Sequence, residues 1–195
     1  FFDINKAIQM YPDYAYFHFR KANILLQLGK YQEAIDLYNY TESRFKLKEV
    51  YRNRGMAYNL VKNYEASLID AEKALNLGDT TFESYLVKAD ALYYFYNYDS
   101  ALIYINKSID LNKNSSAAFF IRCKVYKELG KYDLAMQDLE TMHKLDSSEL
   151  LYYGLKARIY QQTNNYKEAK KYYEMAFLKG EFTGKKFYDE MMKRK

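Results

Sequence analysis

The sequence predicts an all-α chain of helical hairpins, and three observations predict it. The 195 residues contain one proline and seven glycines, too few breakers for a many-stranded sheet and few enough for long uninterrupted helices. About half of the residues are apolar, so the chain can bury a core. Most telling, three columns recur in one register. Small residues at Ala22, Gly55, Ala89, Cys123 and Ala157 step by 33, 34, 34 and 34. Tyr31, Tyr64, Tyr98, Tyr132 and Tyr166 step identically, as do Ala34, Ser67, Ala101, Ala135 and Ala169.

Each period reads as two helices. In the fourth, Ala118 to Leu129 carries Phe119, Val125, Tyr126 and Leu129 near helical spacing, Gly130 can supply a left-handed turn, and Lys131 to Leu145 resumes the period. Small residues recur because closely crossing helices leave no room for a branched side chain, and tyrosines fill the larger holes beside them. The pattern, clearest in YRNRGMAYNLVKNYEASLIDAEKALNL (51–77) and FFIRCKVYKELGKYDLAMQDLETMHKL (119–145), resembles the tetratricopeptide repeat over about residues 15 to 180. The family's early aromatic is Tyr51, Tyr85, Phe119 or Tyr153 here and His18 in the first unit, and the closing proline is absent after all five.

The resemblance implies a right-handed α-solenoid of five hairpins. Residues 1–14 resemble the second helix of a preceding repeat, with Ala7 and Ile8 at packing positions and Pro12 in the loop. Phe1 is not an initiator methionine, so a longer array is expected. The units follow as 15–47, 48–81, 82–115, 116–149 and 150–180. Residues 181–195 are expected to form a capping helix, with Phe187, Met191 and Tyr188 covering the bare face of the last hairpin.

Composition narrows the function. The chain holds 24 Tyr, 12 Phe and no Trp, and its net charge of +5 arises from 30 basic and 25 acidic residues spread along it. No polyanion-binding block stands out, so nucleic acid is not the expected partner. Cys123 is the single cysteine and cannot form an internal disulfide, which favours a reducing, cytoplasmic setting. No apolar run approaches the roughly 20 residues that cross a bilayer, so no membrane insertion is expected.

No catalytic, metal or cofactor constellation emerges. His18 and His143 lie in different units without close-set acidic or thiol partners, and His18 stands at a packing aromatic position. Cys123 belongs to the small column, where a buried, inert thiol is expected. The stretch from Gly180 to Lys186 is too short for a phosphate loop, lacks the following Ser or Thr, and follows no strand. The triplets at Asn39, Asn106 and Asn114 match the glycosylation pattern, but two of them fall on predicted helices.

By resemblance, the first helices line a concave groove that takes an extended or helical peptide. Its positions map to Tyr16, Phe19, Arg20, Asn23 and Leu26, then to Arg52, Asn53, Met56 and Leu60. In the third unit they are Leu86, Val87, Asp90, Tyr93 and Tyr94. Phe120, Ile121, Lys124 and Lys127 follow, then Leu155, Arg158 and Gln162. An aromatic floor of Phe19, Tyr93, Tyr94 and Phe120 beside Arg20, Arg52, Lys124 and Arg158 suits a peptide carrying bulky apolar and acidic residues, with Asp90 accepting a ligand cation.

Some family members clamp chaperone C-terminal carboxylates. Asn23 and Asn53 match two of those positions, but Phe19, Glu83 and Val87 stand where cations are needed, so that ligand is disfavoured. RNA binding is an alternative, resting on the same four cations with Tyr93 and Phe120, yet Glu49, Glu83, Asp90 and Glu128 interrupt the stripe. Self-association through the apolar ends is a third.

Overall fold

The computed structural model describes residues 2–147 and 149–180. Among them are eleven α-helices and no strand. They run α1 (Phe2–Met10), α2 (Ala15–Gln27), α3 (Tyr31–Glu42), α4 (Lys48–Leu60), α5 (Tyr64–Asn76), α6 (Phe82–Tyr94) and α7 (Tyr98–Leu111). They continue with α8 (Ser116–Glu128), α9 (Tyr132–Leu145), α10 (Glu149–Gln162) and α11 (Tyr166–Leu178). The expected capping helix over 181–195 lies outside the described residues.

The chain divides into two compact units, residues 1–111 and 112–195. In the first, α1 packs on α2, and the hairpins α2–α3, α4–α5 and α6–α7 follow one another, with α2, α4 and α6 also touching in order. In the second, α8–α9 and α10–α11 are hairpins and α10 lies against α9.

Local chemistry explains where these helices begin and end. The tyrosine column is the first residue of every second helix. The Asn63, Ser115 and Asn165 side chains accept backbone N–H groups of Ala66, Ala118 and Glu168, capping α5, α8 and α11. The Ser115 cap starts α8 at Ser116, two residues ahead of the sequence expectation. Between the two helices of every hairpin one residue takes positive φ: Gly29 at 75°, Lys62 at 63°, Tyr96 at 59°, Gly130 at 71° and Asn164 at 60°. The residue after each donates its N–H five positions back along the turn, Lys30 to Leu25, Asn63 to Tyr58, Asn97 to Leu92, Lys131 to Tyr126 and Asn165 to Tyr160. Five left-handed caps of one type therefore close the five first helices.

Both small columns are fully buried. Gly55 shows why: a Cβ there would lie 3.0 Å from Val87 Cγ1 of the next hairpin and 3.4 Å from the Ser67 carbonyl of its own. The core of the first hairpin gathers Phe19, Ala22, Leu25, Ala34 and Tyr38, and Val50 of α4 enters it from the second. Hairpins thus share cores with their neighbours within a unit.

Candidate functional site

On the N-terminal unit, the first helices carry a chain of polar contacts that crosses from repeat to repeat. The Tyr38 hydroxyl donates to Asn23 Oδ1 at 2.7 Å, and Asn53 Nδ2 donates to the same oxygen at 2.9 Å. Arg52 Nε donates to Asn53 Oδ1 at 3.2 Å, and Arg52 Nη1 reaches Asp79 Oδ2 at 2.9 Å. Asp79 is wholly buried and also accepts from Thr81, so Arg52 neutralises a carboxylate that has no access to water. Burial drives the Tyr38 phenol upward from its ordinary pKa against the pull of Asn53 and Arg52, so Tyr38 is a donor at every physiological pH.

The first helices of the same unit also carry Tyr16 and Arg20, then Met56, then Tyr93 and Tyr94. Arg20 Nη1 donates to the Tyr16 hydroxyl at 3.4 Å. Tyr94 stacks on Tyr64 of the preceding hairpin with centroids 3.7 Å apart and 40% of its surface exposed. Tyr93 meets it edge-on at 5.0 Å and approaches Tyr98 at 5.9 Å. Burial, then the hydrogen bond to Tyr94, holds the Tyr64 phenol above its ordinary value. Leu86 and Asp90 are half-buried on the same helix.

In the C-terminal unit, Phe120 borders a cleft of about 210 Å³ with Met142, Leu151 and Asp146. Lys124 Nζ lies 4.9 Å from the Phe120 ring centroid, and Arg158 is half-buried on α10.

Four of the residues expected to face a ligand do not. Phe19, Val87, Ile121 and Leu155 are buried, none more than 9% exposed. Val87 packs on Gly55, and its carbonyl accepts from Asn59 Nδ2 at 3.1 Å, so this position seals one hairpin to the one before it. Arg52 already spends its charge on Asp79. With Arg52 engaged, the basic stripe proposed for RNA also loses a member.

A further column escaped the sequence reading although its signal was present. Lys21, Arg54, Lys88, Arg122 and Lys156 each precede a small-column residue and keep the same spacing. Arg54 forks onto Asp70 at 2.7 and 2.9 Å and bonds Glu42 and Asn39 of the preceding hairpin. Arg122 forks onto Asp138 at 2.7 and 2.8 Å. Lys88 pairs with Glu72 at 3.2 Å and Lys156 with Glu140 at 2.5 Å, each reaching back one hairpin. Burial alone would raise Glu42 and Glu140, but the hydrogen bonds and charges of Arg54 and Lys156 outweigh it and hold both below the usual carboxylate range.

The remaining candidates for chemistry have structural partners. His18 Nε2 lies 2.7 Å from the Pro12 carbonyl and its ring packs against Tyr40, while His143 stacks on Tyr152. Burial, then the charge of Asp138, pushes the Cys123 thiol up to about 12, which keeps it protonated. Asn39 holds Arg54 and Thr41 of the first glycosylation triplet is buried, as is Ser108 of the second. Among the described residues no group of three His, Cys, Asp or Glu could hold a metal, and no helix is long and apolar enough to cross a membrane.

The architecture and its columns define a helical-hairpin repeat protein. The tetratricopeptide repeat profile matches residues 4–36, and that of the anaphase-promoting complex, cyclosome, subunit 3 matches 95–176. Both profiles are of tetratricopeptide type, and the fold is that of tetratricopeptide-repeat proteins. No curated protein matches the sequence. Among solved structures it is similar to TTC0263, a tetratricopeptide protein of Thermus thermophilus (17% identity, 91% of this chain and 98% of that one, TM-score 0.72). It is similar also to YrrB, described as having an unusual peptide-binding site (20%, 91% and 92%, 0.64). Cut9–Hcn1 of the APC/C gives 13% identity over 92% of this chain and 36% of that one, with a TM-score of 0.78. At these identities the likeness is one of fold.

Proposed function

We propose that the protein is a non-catalytic, cytoplasmic scaffold that binds a peptide segment of a partner on its first-helix face. The observation that carries this reading is the amide pair Asn23 and Asn53. Asn23 Oδ1 accepts two hydrogen bonds from within the fold, which fixes the amide orientation and turns its Nδ2 hydrogens to the opposite side. A half-buried amide donor held this way, on first helices that also carry Tyr16, Met56 and Tyr94, suits a main-chain carbonyl flanked by apolar side chains. Arg20, which pairs with no carboxylate among the described residues, favours an acidic residue in the ligand. The family's general role as a protein-interaction scaffold supports the reading.

The test begins with a peptide selected from a random library on the intact chain, titrated calorimetrically against variants. Asn23→Asp keeps the acceptor for Tyr38 and Asn53 but removes the donor, and it should weaken binding about tenfold or more. Tyr94→Ala should cost about 2 kcal/mol of binding as an anchor. Arg20→Ala should cost less and only at low salt. Parental affinity in all three folded variants would remove this face as the working surface.

A further inference from the structure

A side-chain amide carries a donor and an acceptor on one carbon, and its neighbours decide which of the two faces outward. On the N-terminal unit one group makes that choice. An arginine guanidinium has donors and no acceptor. Arg52 Nε lies 3.2 Å from the Asn53 side chain, so the Asn53 atom that meets it is the carbonyl oxygen and Nδ2 points the other way. That Nδ2 reaches Asn23 at 2.9 Å, so Asn23 in turn presents its oxygen inward, where the Tyr38 hydroxyl also donates at 2.7 Å. Polarity passes from guanidinium to amide to amide, and ends on the Nδ2 group of Asn23.

The guanidinium is itself held in place. Its Nη1 donates to Asp79 Oδ2 at 2.9 Å and to Thr81 Oγ1 at 3.3 Å in the loop before α6, and Asp79 Oδ1 accepts from the Thr81 hydroxyl at 2.8 Å. The stacking of hairpins does not require this arrangement. At the repeat spacing the counterparts of Arg52 are Phe19, Leu86, Phe120 and Gly154, and those of Asp79 include Lys46 and Lys113. A buried ion pair, moreover, adds little net stability over apolar packing of similar volume. What this pair does supply is one amide orientation in place of two.

We propose that Arg52, anchored by Asp79, is the positioning residue of the ligand face: it sets the direction of both asparagine amides, so that Asn23 offers donors and the ligand must bring an acceptor. The inference rests on Asn23 being a ligand contact, as proposed above. Arg52 acts through Asn53 and makes no bond to the ligand.

Two readouts test it, one of them without ligand. Arg52→Met combined with Asp79→Asn removes the fixed donor, leaves no unpaired buried charge and keeps the net charge. Arg52→Lys is the conservative variant, since an ammonium also only donates. The first readout is hydrogen exchange of the isotope-labelled asparagine side-chain amides, assigned by their loss in Asn23→Asp and Asn53→Asp. Protection of the Asn53 amide should fall about fivefold or more in the double variant and stay within about twofold of the parent in Arg52→Lys. The second is calorimetric titration of the library-selected peptide. The double variant should bind about fivefold or more weakly, Arg52→Lys should keep most of the affinity, and the double variant should cost nothing further in the Asn23→Asp background. Asp79→Asn alone, which keeps the guanidinium but loosens its anchor, should move both readouts the same way by less. Equal Asn53 protection in the parent and the double variant overturns the proposal. So does a loss of affinity that adds in full to that of Asn23→Asp, because Arg52 would then touch the ligand itself. Parental affinity in Asn23→Asp, with Asn53 protection lost in the double variant, removes the ligand face and leaves the amide relay standing.

Discussion

Two columns of this chain keep the same spacing and obey opposite rules. The clasp column, Lys21, Arg54, Lys88, Arg122 and Lys156, varies little in chemistry: every member is a cation, and the last four find a carboxylate on a second helix. The turn column, Gly29, Lys62, Tyr96, Gly130 and Asn164, varies freely in side chain but keeps one backbone conformation. The first column is set by a partner that must be matched, the second by a φ value that any residue reaches at some energy. Periodicity of residue type therefore reports packing and pairing, and misses a repeated backbone state.

The largest expected effect breaks the clasp. Arg54→Ala leaves Asp70 buried without its fork and Glu42 with Lys73 as its remaining cation, which should destabilise the protein by about 3–5 kcal/mol. Replacing both Arg54 and Asp70 with leucine should restore part of that loss. Urea unfolding of the variants measures both; a loss for Arg54→Ala below about 1 kcal/mol would mean that water reaches Asp70 and that the clasp is decorative. Arg52→Ala is the next in size, about 2 kcal/mol, because Asp79 keeps only its bonds from Thr81. If Arg52→Ala melts like the parent but loses ligand, Arg52 belongs to the binding face after all.

How much of this was legible follows from the same contrast. The hairpins and their small columns were readable because Ala22, Ala89 and Ala157 are small for a local reason, the crossing of two helices. The ligand face was less so. Val87 and Tyr94 both look like apolar groove positions on one helix, yet Val87 closes on Gly55 whereas Tyr94 keeps an open face above Tyr64. Which of two apolar side chains meets a neighbour depends on the stacking of hairpins, and no spacing within α6 contains that. The ion pair of Arg52 was hidden for the same reason, since its partner Asp79 lies 27 residues away in the next loop. The clasp column was readable too, since its five cations keep the spacing of the small column, and it went unseen.

Acid should weaken the clasp in one direction. Glu42 and Glu140 are held below the ordinary carboxylate value, so their pairing is complete above that value, about 4.3, and is lost as pH falls through the lower folded value. The melting temperature should therefore fall on acidification below about pH 4.5, more steeply in the parent than in Glu42→Gln. Parallel curves from pH 7 to 3 would show that Glu42 gains nothing from Arg54.

The turn column supplies the smallest effects, and their signs separate it from the clasp. Tyr96 sits at positive φ with its ring 80% exposed and one edge contact to Tyr98 at 6.3 Å. Left-handed backbone costs a non-glycine residue about 1–2 kcal/mol, and glycine at this site gives back part of that through greater freedom in the unfolded chain. Tyr96→Gly should therefore stabilise by about 0.5 kcal/mol once the weak ring contact is lost, raising the melting temperature by about 1–2 °C. Gly130→Ala is the mirror experiment. A Cβ there meets nothing within 4 Å, so the substitution changes backbone energy alone and should destabilise by about 1 kcal/mol. Calorimetric scans of the two variants should move in opposite directions. If Tyr96→Gly lowers the melting temperature instead, the aromatic contact outweighs the backbone strain, and the turn column, like the clasp, is held by its side chains.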